Sequence, residues 1–368
     1  MKYFLIAGEA SGDLLGASLM GGIKHLDSNA VFNYWGGELM LQKSPGLLQH
    51  YKNINIMGFV EVVLKLRTIS KNLTLCKEQI LAFNPDIVVL IDYPGFNLRI
   101  AGFAKENNFK TAYFIAPKIW AWNEKRGKKL EKYIDHLLLI FPFEPAYFKK
   151  WKVKSTYVGN PLTSLIKNFK STSDFTTVNG LGNNNIIALL PGSRKQEIKR
   201  ILPVMVKLAK HYPQYKFVIA GAPSIDVSFY QPYLNNQVKI VFDQTYNLLS
   251  FANAAIVCSG TASLEAALFN VPQVCCYAAN KLSYQLAIWF VKIQYISLVN
   301  LILNKPAIKE LIQDDFTEDN VLTELKAILP GGSRHIQLLH DYDALNKLLG
   351  SENASINAAV IITDLAKA

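Results

Sequence analysis

Short apolar runs, separated by stretches with helical spacing, set the rhythm of this chain. In the first half the runs are Tyr3–Ala7, Ile87–Ile91, Ala112–Ile115, Leu137–Phe141 and Tyr157–Val158. Helical patterns fall between them at Asp13–Leu26, Asn97–Asn107, Glu124–Ile134 and Glu144–Lys149. Strands that alternate with helices predict a parallel, doubly wound sheet. Ligands of such sheets bind beyond the carboxyl ends of the strands. The residues that follow the runs are therefore the ones to examine: Gly8–Asp13, Asp92–Asn97, Pro117–Trp122 and Pro142–Glu144.

A polar stretch from Ser171 to Asn185, with Gly180, Gly182 and three consecutive asparagines, breaks the pattern and predicts an interdomain linker. Alternation then resumes. Strands are expected at Ile186–Leu190, Phe217–Ala220, Lys239–Phe242, Ala254–Cys258 and Gln273–Tyr277, and helices at Gln196–Tyr212, Tyr246–Phe251 and Ala262–Phe269. After Asn280 the chain reads as apolar and mostly helical, with a last helix from Ala354 to Ala368. The 368 residues suffice for two domains, each with its own core. The expected division is 1–170, a linker at 171–185, and 186–344. Half of the residues are hydrophobic, which excludes a disordered chain.

Two glycine-bearing turns stand out. Gly8-Glu9-Ala10-Ser11-Gly12-Asp13 and Ser259-Gly260-Thr261 each follow an apolar run and open an amphipathic stretch. Such strand–turn–helix units offer backbone N–H groups at a helix start. Neither is a G-x-G-x-x-G fingerprint or a G-x-x-x-x-G-K-[ST] loop. Either turn alone is as well explained as an ordinary tight turn. Together they suggest two nucleotide-fold domains that face each other across a cleft.

Pro191-Gly192-Ser193-Arg194 also follows a buried run and opens a helix. Its glycine permits close approach, the helix start favours negative charge, and Arg194 can grip a phosphate with two donors. Ser259, Gly260 and Thr261 add hydroxyls and N–H groups, and Glu265 lies one helical turn on, where a carboxylate can accept from ribose hydroxyls. Together they read as a nucleoside diphosphate cradle. In the first half, Asp92 closes the run Ile87–Ile91, where it is either a general base or a cap for the helix at Asn97. Glu9, Ser11 and Asp13 share that rim, and Asp13 reads equally as an N-cap.

The net charge of +11 is unevenly placed. Ten lysines and arginines between Lys118 and Lys154, against four acids, carry about half of it. Nucleic acid, anionic lipid and a phosphorylated substrate are the candidate polyanions, beside a merely solvated face. Phe59, Val62, Val63, Leu66, Ile69 and Leu73 recur at helical spacing with Lys65, Arg67 and Lys71 among them. That pattern suits a core-facing helix, or a lipid-facing one with a basic rim. Trp120 and Trp122, beside the basic cluster, have the amphipathic rings of a water–lipid interface.

The four cysteines (Cys76, Cys258, Cys275, Cys276) show no C-x-x-C spacing and read as buried thiols of a reducing compartment. The N-terminus enters a strand at once, without signal-peptide features, so a cytoplasmic protein is expected. No apolar stretch approaches the roughly 20 residues of a spanning helix. The six histidines show no metal-binding spacing. Asp341-Tyr342-Asp343 is a weak candidate for a divalent cation, far from any predicted strand end. No metal and no cofactor is expected.

Taken in order, these segments resemble the lipid-A-disaccharide synthase family of GT-B glycosyltransferases over nearly the whole chain. The resemblance rests on Ala7-Gly8-Glu9-Ala10-Ser11-Gly12-Asp13, Met57-Gly58-Phe59-Val60-Glu61-Val62, Ile91-Asp92-Tyr93-Pro94-Gly95-Phe96-Asn97 and Ile119-Trp120-Ala121-Trp122. It continues through Pro142-Phe143-Glu144, Leu190-Pro191-Gly192-Ser193-Arg194, Ser259-Gly260-Thr261-Ala262-Ser263-Leu264-Glu265 and Ser297-Leu298-Val299-Asn300-Leu301.

The resemblance implies transfer of a 2,3-diacylglucosamine unit from its UDP conjugate to 2,3-diacylglucosamine 1-phosphate. The β-1,6-linked disaccharide 1-phosphate and UDP would form, with inversion and without metal. Asp92 matches the family's proposed catalytic aspartate, and Glu9 and Ser11 match the loop at the reaction centre. Arg194, Ser259, Gly260, Thr261, Glu265 and Asn300 match the donor side. Residues 59–73 match the region that receives acyl chains. The cytoplasmic face of an anionic membrane becomes the expected partner and nucleic acid does not; homodimerisation stays open. The tail, 345–368, is expected to pack back on the first domain, as in other GT-B chains.

Three departures limit the carry-over. Gly95 stands where the family often has aspartate, so a second carboxylate beside Asp92 is not essential here. Asn160 stands where histidine is common, so a hinge histidine does not transfer. Val299 replaces a common proline. The rival readings are another GT-B enzyme of UDP-N-acetylglucosamine (a lipid-carrier transferase or a 2-epimerase) and a basic nucleic-acid-binding protein. The second lacks any recognisable module.

Overall fold

The computed structural model describes residues 1–54, 66–182, 185–280, 284, 293–350 and 353–368. The chain forms two compact units, Met1–Pro161 with Ser351–Ala368, and Leu162–Gly350. Each is a parallel sheet with helices on both faces, and the fold is of the GT-B type.

The first sheet holds β1 (Lys2–Ala7), β2 (Val31–Gly36), β3 (Leu47–His50), β4 (Ile87–Ile91), β5 (Lys110–Phe114), β6 (His136–Leu139) and β7 (Ser155–Tyr157). Its order is β3-β2-β1-β4-β5-β6-β7. The strand order reverses between β1 and β4, which pair in register from Tyr3 opposite Ile87 to Ala7 opposite Ile91. The switch point of the sheet thus lies between Gly8 and Asp92. The helices are α1 (Ala10–Leu26), α2 (Glu38–Lys43), α3 (Leu66–Phe83), α4 (Pro94–Glu106), α5 (Gly127–Tyr133) and α6 (Glu144–Phe148).

The second unit contains α7 (Pro161–Lys167), whose first residue still belongs to the first unit, and α8 (Phe175–Val178). Its sheet comprises β8 (Asn185–Leu190), β9 (Tyr215–Gly221), β10 (Val238–Phe242), β11 (Ala252–Cys258), β12 (Gln273–Tyr277) and β13 (Lys309–Ile312). They run in the order β10-β9-β8-β11-β12-β13, with the switch between β8 and β11. The helices α9 (Lys195–Lys207), α10 (Thr245–Phe251), α11 (Thr261–Leu268), α12 (Leu298–Leu303), α13 (Glu318–Ile328) and α14 (His335–Leu349) complete it.

Strands buried on both faces read as continuous apolar runs, and most of the strands that periodicity found are of this kind. β1, β4 and β8 are buried at nearly every position. Three strands escaped it. β3 and β13 are short, half-buried edges, and Asn33 breaks the run of β2.

The polar stretch 171–185 is not a linker between the units. Phe175 and Leu181 lie in the core of the second unit, where Phe175 stacks on Phe251 with ring centroids 5.5 Å apart. The Thr172 N–H donates to Asn247 Oδ1 at 2.8 Å. Gly180 and Gly182, with φ of 63° and 61°, turn the chain around these buried anchors, and the crossing comes earlier, at Pro161–Leu162.

The last helix, α15 (Ala354–Lys367), belongs to the first unit and lies along α1. Ser18 and Ser355 hydroxyls meet at 2.8 Å, and Asn357 Nδ2 donates to the Val158 carbonyl at 3.1 Å. Gly22 allows the close approach, since a Cβ there would lie 2.8 Å from the Ser355 carbonyl oxygen. Among the described residues no helix is long and apolar enough to cross a membrane.

Candidate active site

The loop after β4 is held in an unusual conformation. Asp92 and Tyr93 are successive left-handed residues, with φ of 45° and 49°. Aspartate enters that region readily, but a tyrosine there is held by its surroundings. Here the Asp92 carbonyl accepts from Asn97 Nδ2 at 2.7 Å and from the Tyr113 hydroxyl at 2.6 Å. The Asp92 N–H donates to the Phe114 carbonyl at 3.1 Å. With both backbone groups fixed, the carboxyl is left to face a cavity. The N-cap of α4 is Tyr93, not Asp92.

That cavity, of about 180 Å³, is lined by Asp92, Pro94, Pro117, Lys118, Ile119, Trp122 and Arg126. Burial pushes the Asp92 carboxyl up from its usual range, while the Lys118 charge and the Tyr93 N–H pull it down. Lys118 stood in the sequence both in the strand-end loop Pro117–Trp122 and in the basic cluster, and Arg126 in the cluster alone. The chain brings them to Asp92 because β4 and β5 are neighbours, so the loops after them share one edge.

Glu9 and Ser11 stand on the same rim. Glu9 is the half-buried N-cap residue of α1, and its charge helps to raise the Tyr93 hydroxyl pKa, after burial; Ser11 is exposed on the first turn. Asp13 does not cap its own helix. It is buried inside α1, and its carboxylate accepts from the N–H groups of Gly37 (2.7 Å), Leu39 (3.1 Å) and Met40 (3.1 Å), which caps the start of α2.

The two tryptophans differ. Trp122 is exposed, with the Arg126 guanidinium 4.5 Å above its ring. Trp120 does not present an interfacial ring: it turns inward, edge-on to Phe143 and Phe141, with its Nε1–H donating to Glu144 at 3.1 Å. Glu144 is fully buried and also accepts from the N–H groups of Ile140 and Phe141, both at 3.0 Å. Burial outweighs these donors and raises its pKa to about 7. Of the expected acyl-chain residues, Phe59, Val62 and Val63 lie outside the described residues. Leu66 opens α3, and Ile69 on its first turn is half-buried.

In the second unit, the loops after β8 and β11 flank the switch point, with Leu190 opposite Val257. Gly192 and Gly260 have φ of 104° and 147°, which glycine adopts without strain. Gly260 is the N-cap of α11, which leaves the first N–H groups of that helix without intrahelical acceptors. Arg194 is exposed at the N-cap of α9 and pairs with Glu197 at 3.1 Å. Ser259 Oγ donates to the Ile296 carbonyl at 2.9 Å. Glu265 accepts from the Tyr246 hydroxyl at 3.0 Å; burial raises its carboxyl pKa and that hydrogen bond lowers it.

Asn300 does not offer its amide to a ligand. It is buried, its Nδ2 donates to the Ile308 carbonyl and to Glu310 Oε1 (2.9 Å each), and its Oδ1 accepts from the Ile308 N–H at 2.9 Å. Glu310, on β13, was not anticipated. It also accepts from the N–H groups of Ile296 (3.0 Å) and Ser297 (2.9 Å) and from the Ser297 hydroxyl (2.7 Å). It thus fixes the segment that Ser259 touches. No local signal marked it, because a lone carboxylate in an edge strand looks solvated.

A second cavity, of about 420 Å³, is lined by Ser193, Lys195, Ser224, Ile225, Asp226, Ser228 and Phe229. Sequence reasoning missed all of these except Ser193; the end of the run Phe217–Ala220 was the available signal. The Asp341-Tyr342-Asp343 run is structural. Asp341 pairs with Lys305 at 2.5 Å, and the buried Tyr342 hydroxyl meets Gln273 at 3.2 Å. Among the described residues no three His, Cys, Asp or Glu side chains cluster as metal ligands.

The sequence profile of the family described as "Lipid-A-disaccharide synthetase" matches residues 3–362. A lipid-A-disaccharide synthase of Coxiella burnetii (strain CbuG_Q212) is 33% identical over 366 residues, covering 98% of this chain and 97% of that protein. One of Syntrophus aciditrophicus (strain SB) is 33% identical over 372 residues, covering 99% and 97%. Among solved structures, the UDP-GlcNAc 2-epimerase of Methanocaldococcus jannaschii in complex with UDP-GlcNAc and UDP superposes with a TM-score of 0.67 at 13% identity, covering 99% of this chain and 100% of that one. The glycotransferase of kitacinnamycin also gives 0.67, at 12% identity, covering 99% and 98%. At such identities the structures share the fold alone, whereas the sequence matches reach further. On that evidence the chain belongs to the lipid-A-disaccharide synthetase family of UDP-sugar glycosyltransferases.

Proposed function

We propose that the chain transfers 2,3-diacylglucosamine from UDP-2,3-diacylglucosamine to 2,3-diacylglucosamine 1-phosphate in a single in-line displacement. Asp92 takes the proton of the acceptor's 6-hydroxyl as that oxygen bonds to the donor's anomeric carbon. The bond from that carbon to the diphosphate oxygen breaks on the opposite face, and the configuration inverts. UDP leaves with both electrons of that bond. Arg194 and the N–H groups at Gly260 and Thr261 stabilise the developing charge, a task that needs no metal. Glu265 and its Tyr246 partner accept the ribose hydroxyls. The Ser259 hydroxyl and Asn300 act by position, since their hydrogen bonds are already committed within the protein.

The reading rests above all on Asp92, a carboxyl beside a sheet switch point with its backbone groups tied and its side chain on a cavity. Both substrates carry acyl chains, so the basic stretch 118–154, apart from the cavity-lining Lys118 and Arg126, and the exposed Trp122 are assigned to an anionic bilayer surface at the cytoplasmic face. Membrane retention that falls as salt rises supports that assignment.

The decisive assay mixes the donor, the acceptor and the protein without added metal. UDP release that requires the acceptor, together with a new disaccharide phosphate, is the expected result. Release of UDP from donor alone would point to a hydrolysing epimerase instead. No turnover at all would refute the reading.

A further inference from the structure

We infer that the cavity beside Asp92 is also a phosphate subsite, in which Lys118 and Arg126 hold the anomeric phosphate of the acceptor. The inference rests on the proposed reaction and adds the residues that select its acceptor. Asp92, Lys118 and Arg126 line the same 180 Å³ cavity. Two cations therefore converge on a space with a single acid. Among the described residues neither Lys118 nor Arg126 has an ion pair within 4.0 Å, although several other surface cations do. Arg126 is held by stacking on the exposed ring of Trp122, which leaves the edge of its guanidinium free to donate.

The geometry of displacement decides whose phosphate this is. In an inverting attack the incoming oxygen and the leaving diphosphate lie on opposite faces of the anomeric carbon. The base must touch the incoming oxygen. Cations that share so small a cavity with that base therefore stand on the acceptor's side, not the donor's. The space suits a hexose carrying one phosphate and is too small for acyl chains, which must leave through its mouth. A sugar held by its phosphate at one end and by Asp92 at its 6-hydroxyl has its nucleophile positioned by two fixed points.

The test compares the natural acceptor with its dephosphorylated counterpart, 2,3-diacylglucosamine, in neutral detergent micelles free of phospholipid. Wild-type kcat/KM should favour the phosphorylated acceptor by about 10- to 100-fold, the range of a charge-assisted contact made by two cations. Lys118→Gln and Arg126→Gln should each collapse that ratio towards one, chiefly through KM for the phosphorylated acceptor. Arg126→Lys should keep part of it. A ratio that survives both glutamine variants, or variants that slow both acceptors equally, overturns the inference. If anionic phospholipid added to the micelles erases the wild-type preference, the cations serve membrane headgroups and the assignment also fails. Wild-type protein that turns over neither acceptor refutes the underlying reaction itself.

Discussion

The ring of Tyr93 lies flat across Gly8: a Cβ at that glycine would stand 2.4 Å from the Tyr93 ring. The contact joins the loop after β1 to the loop after β4, the two strands at the switch point of the first sheet. Tyr93 has little room to retreat. Its φ is 49°, its ring stacks on Phe96, and its hydroxyl donates to the Ile54 carbonyl at 3.2 Å.

Gly8→Ala therefore displaces Tyr93, and with it the adjoining Asp92. Overpacking of this kind costs about 1–3 kcal/mol. Thermal unfolding should show a lower Tm, and kcat should fall further than that loss predicts, at temperatures where the variant is fully folded. Unchanged kcat would separate this contact from the position of Asp92.

Asp92→Asn preserves shape and removes the base. A general base contributes about 10²–10⁴-fold, so turnover should fall by at least that range while UDP binding, measured calorimetrically, stays the same. Wild-type turnover in this variant would remove Asp92 from the chemistry.

The pH dependence follows from the same carboxyl. Asp92 must be ionised to accept a proton, so activity rises as pH passes upward through its pKa. Burial raises that pKa and Lys118 lowers it. Lys118→Gln should move the acid limb of the pH–kcat/KM profile to higher pH. A limb that stays in place would show that the Lys118 charge does not reach Asp92.

Glu144 affects stability rather than chemistry. Its folded-state pKa of about 7 lies above the usual 4.5, so the folded chain keeps a proton that the unfolded chain releases. Its contribution is complete below pH 4.5 and is lost as pH rises through about 7. Tm should decline across that window, and Glu144→Gln should flatten the decline. A wild-type Tm that rises over the window would contradict it.

Glu310 holds the Ile296–Asn300 segment by four hydrogen bonds. Glu310→Ala leaves those buried donors without acceptors and should cost roughly 2–4 kcal/mol. KM for the UDP-sugar should rise, because the Ile296 carbonyl that anchors Ser259 is no longer fixed. Equal losses of stability with no change in KM would confine Glu310 to the fold.

What the sequence determined by itself was the strands buried on both faces and several of the loops that directly follow them. Strands buried on both faces announce themselves as apolar runs, so β1, β4, β8 and β11 were legible, and with them the loops that carry Glu9, Asp92, Arg194 and Gly260. Tertiary structure decided the rest, because it depends on pairs far apart in sequence. Asp13 caps a helix that starts 25 residues later, at Glu38. Asn300 spends its amide on Ile308 and Glu310, and Trp120 is drawn inward by Glu144. Lys118 and Arg126 reach Asp92 only because parallel neighbours bring their loops to one edge. A buried hydrogen bond is chosen by whichever donor and acceptor the fold leaves side by side, and one-dimensional periodicity carries no trace of that choice.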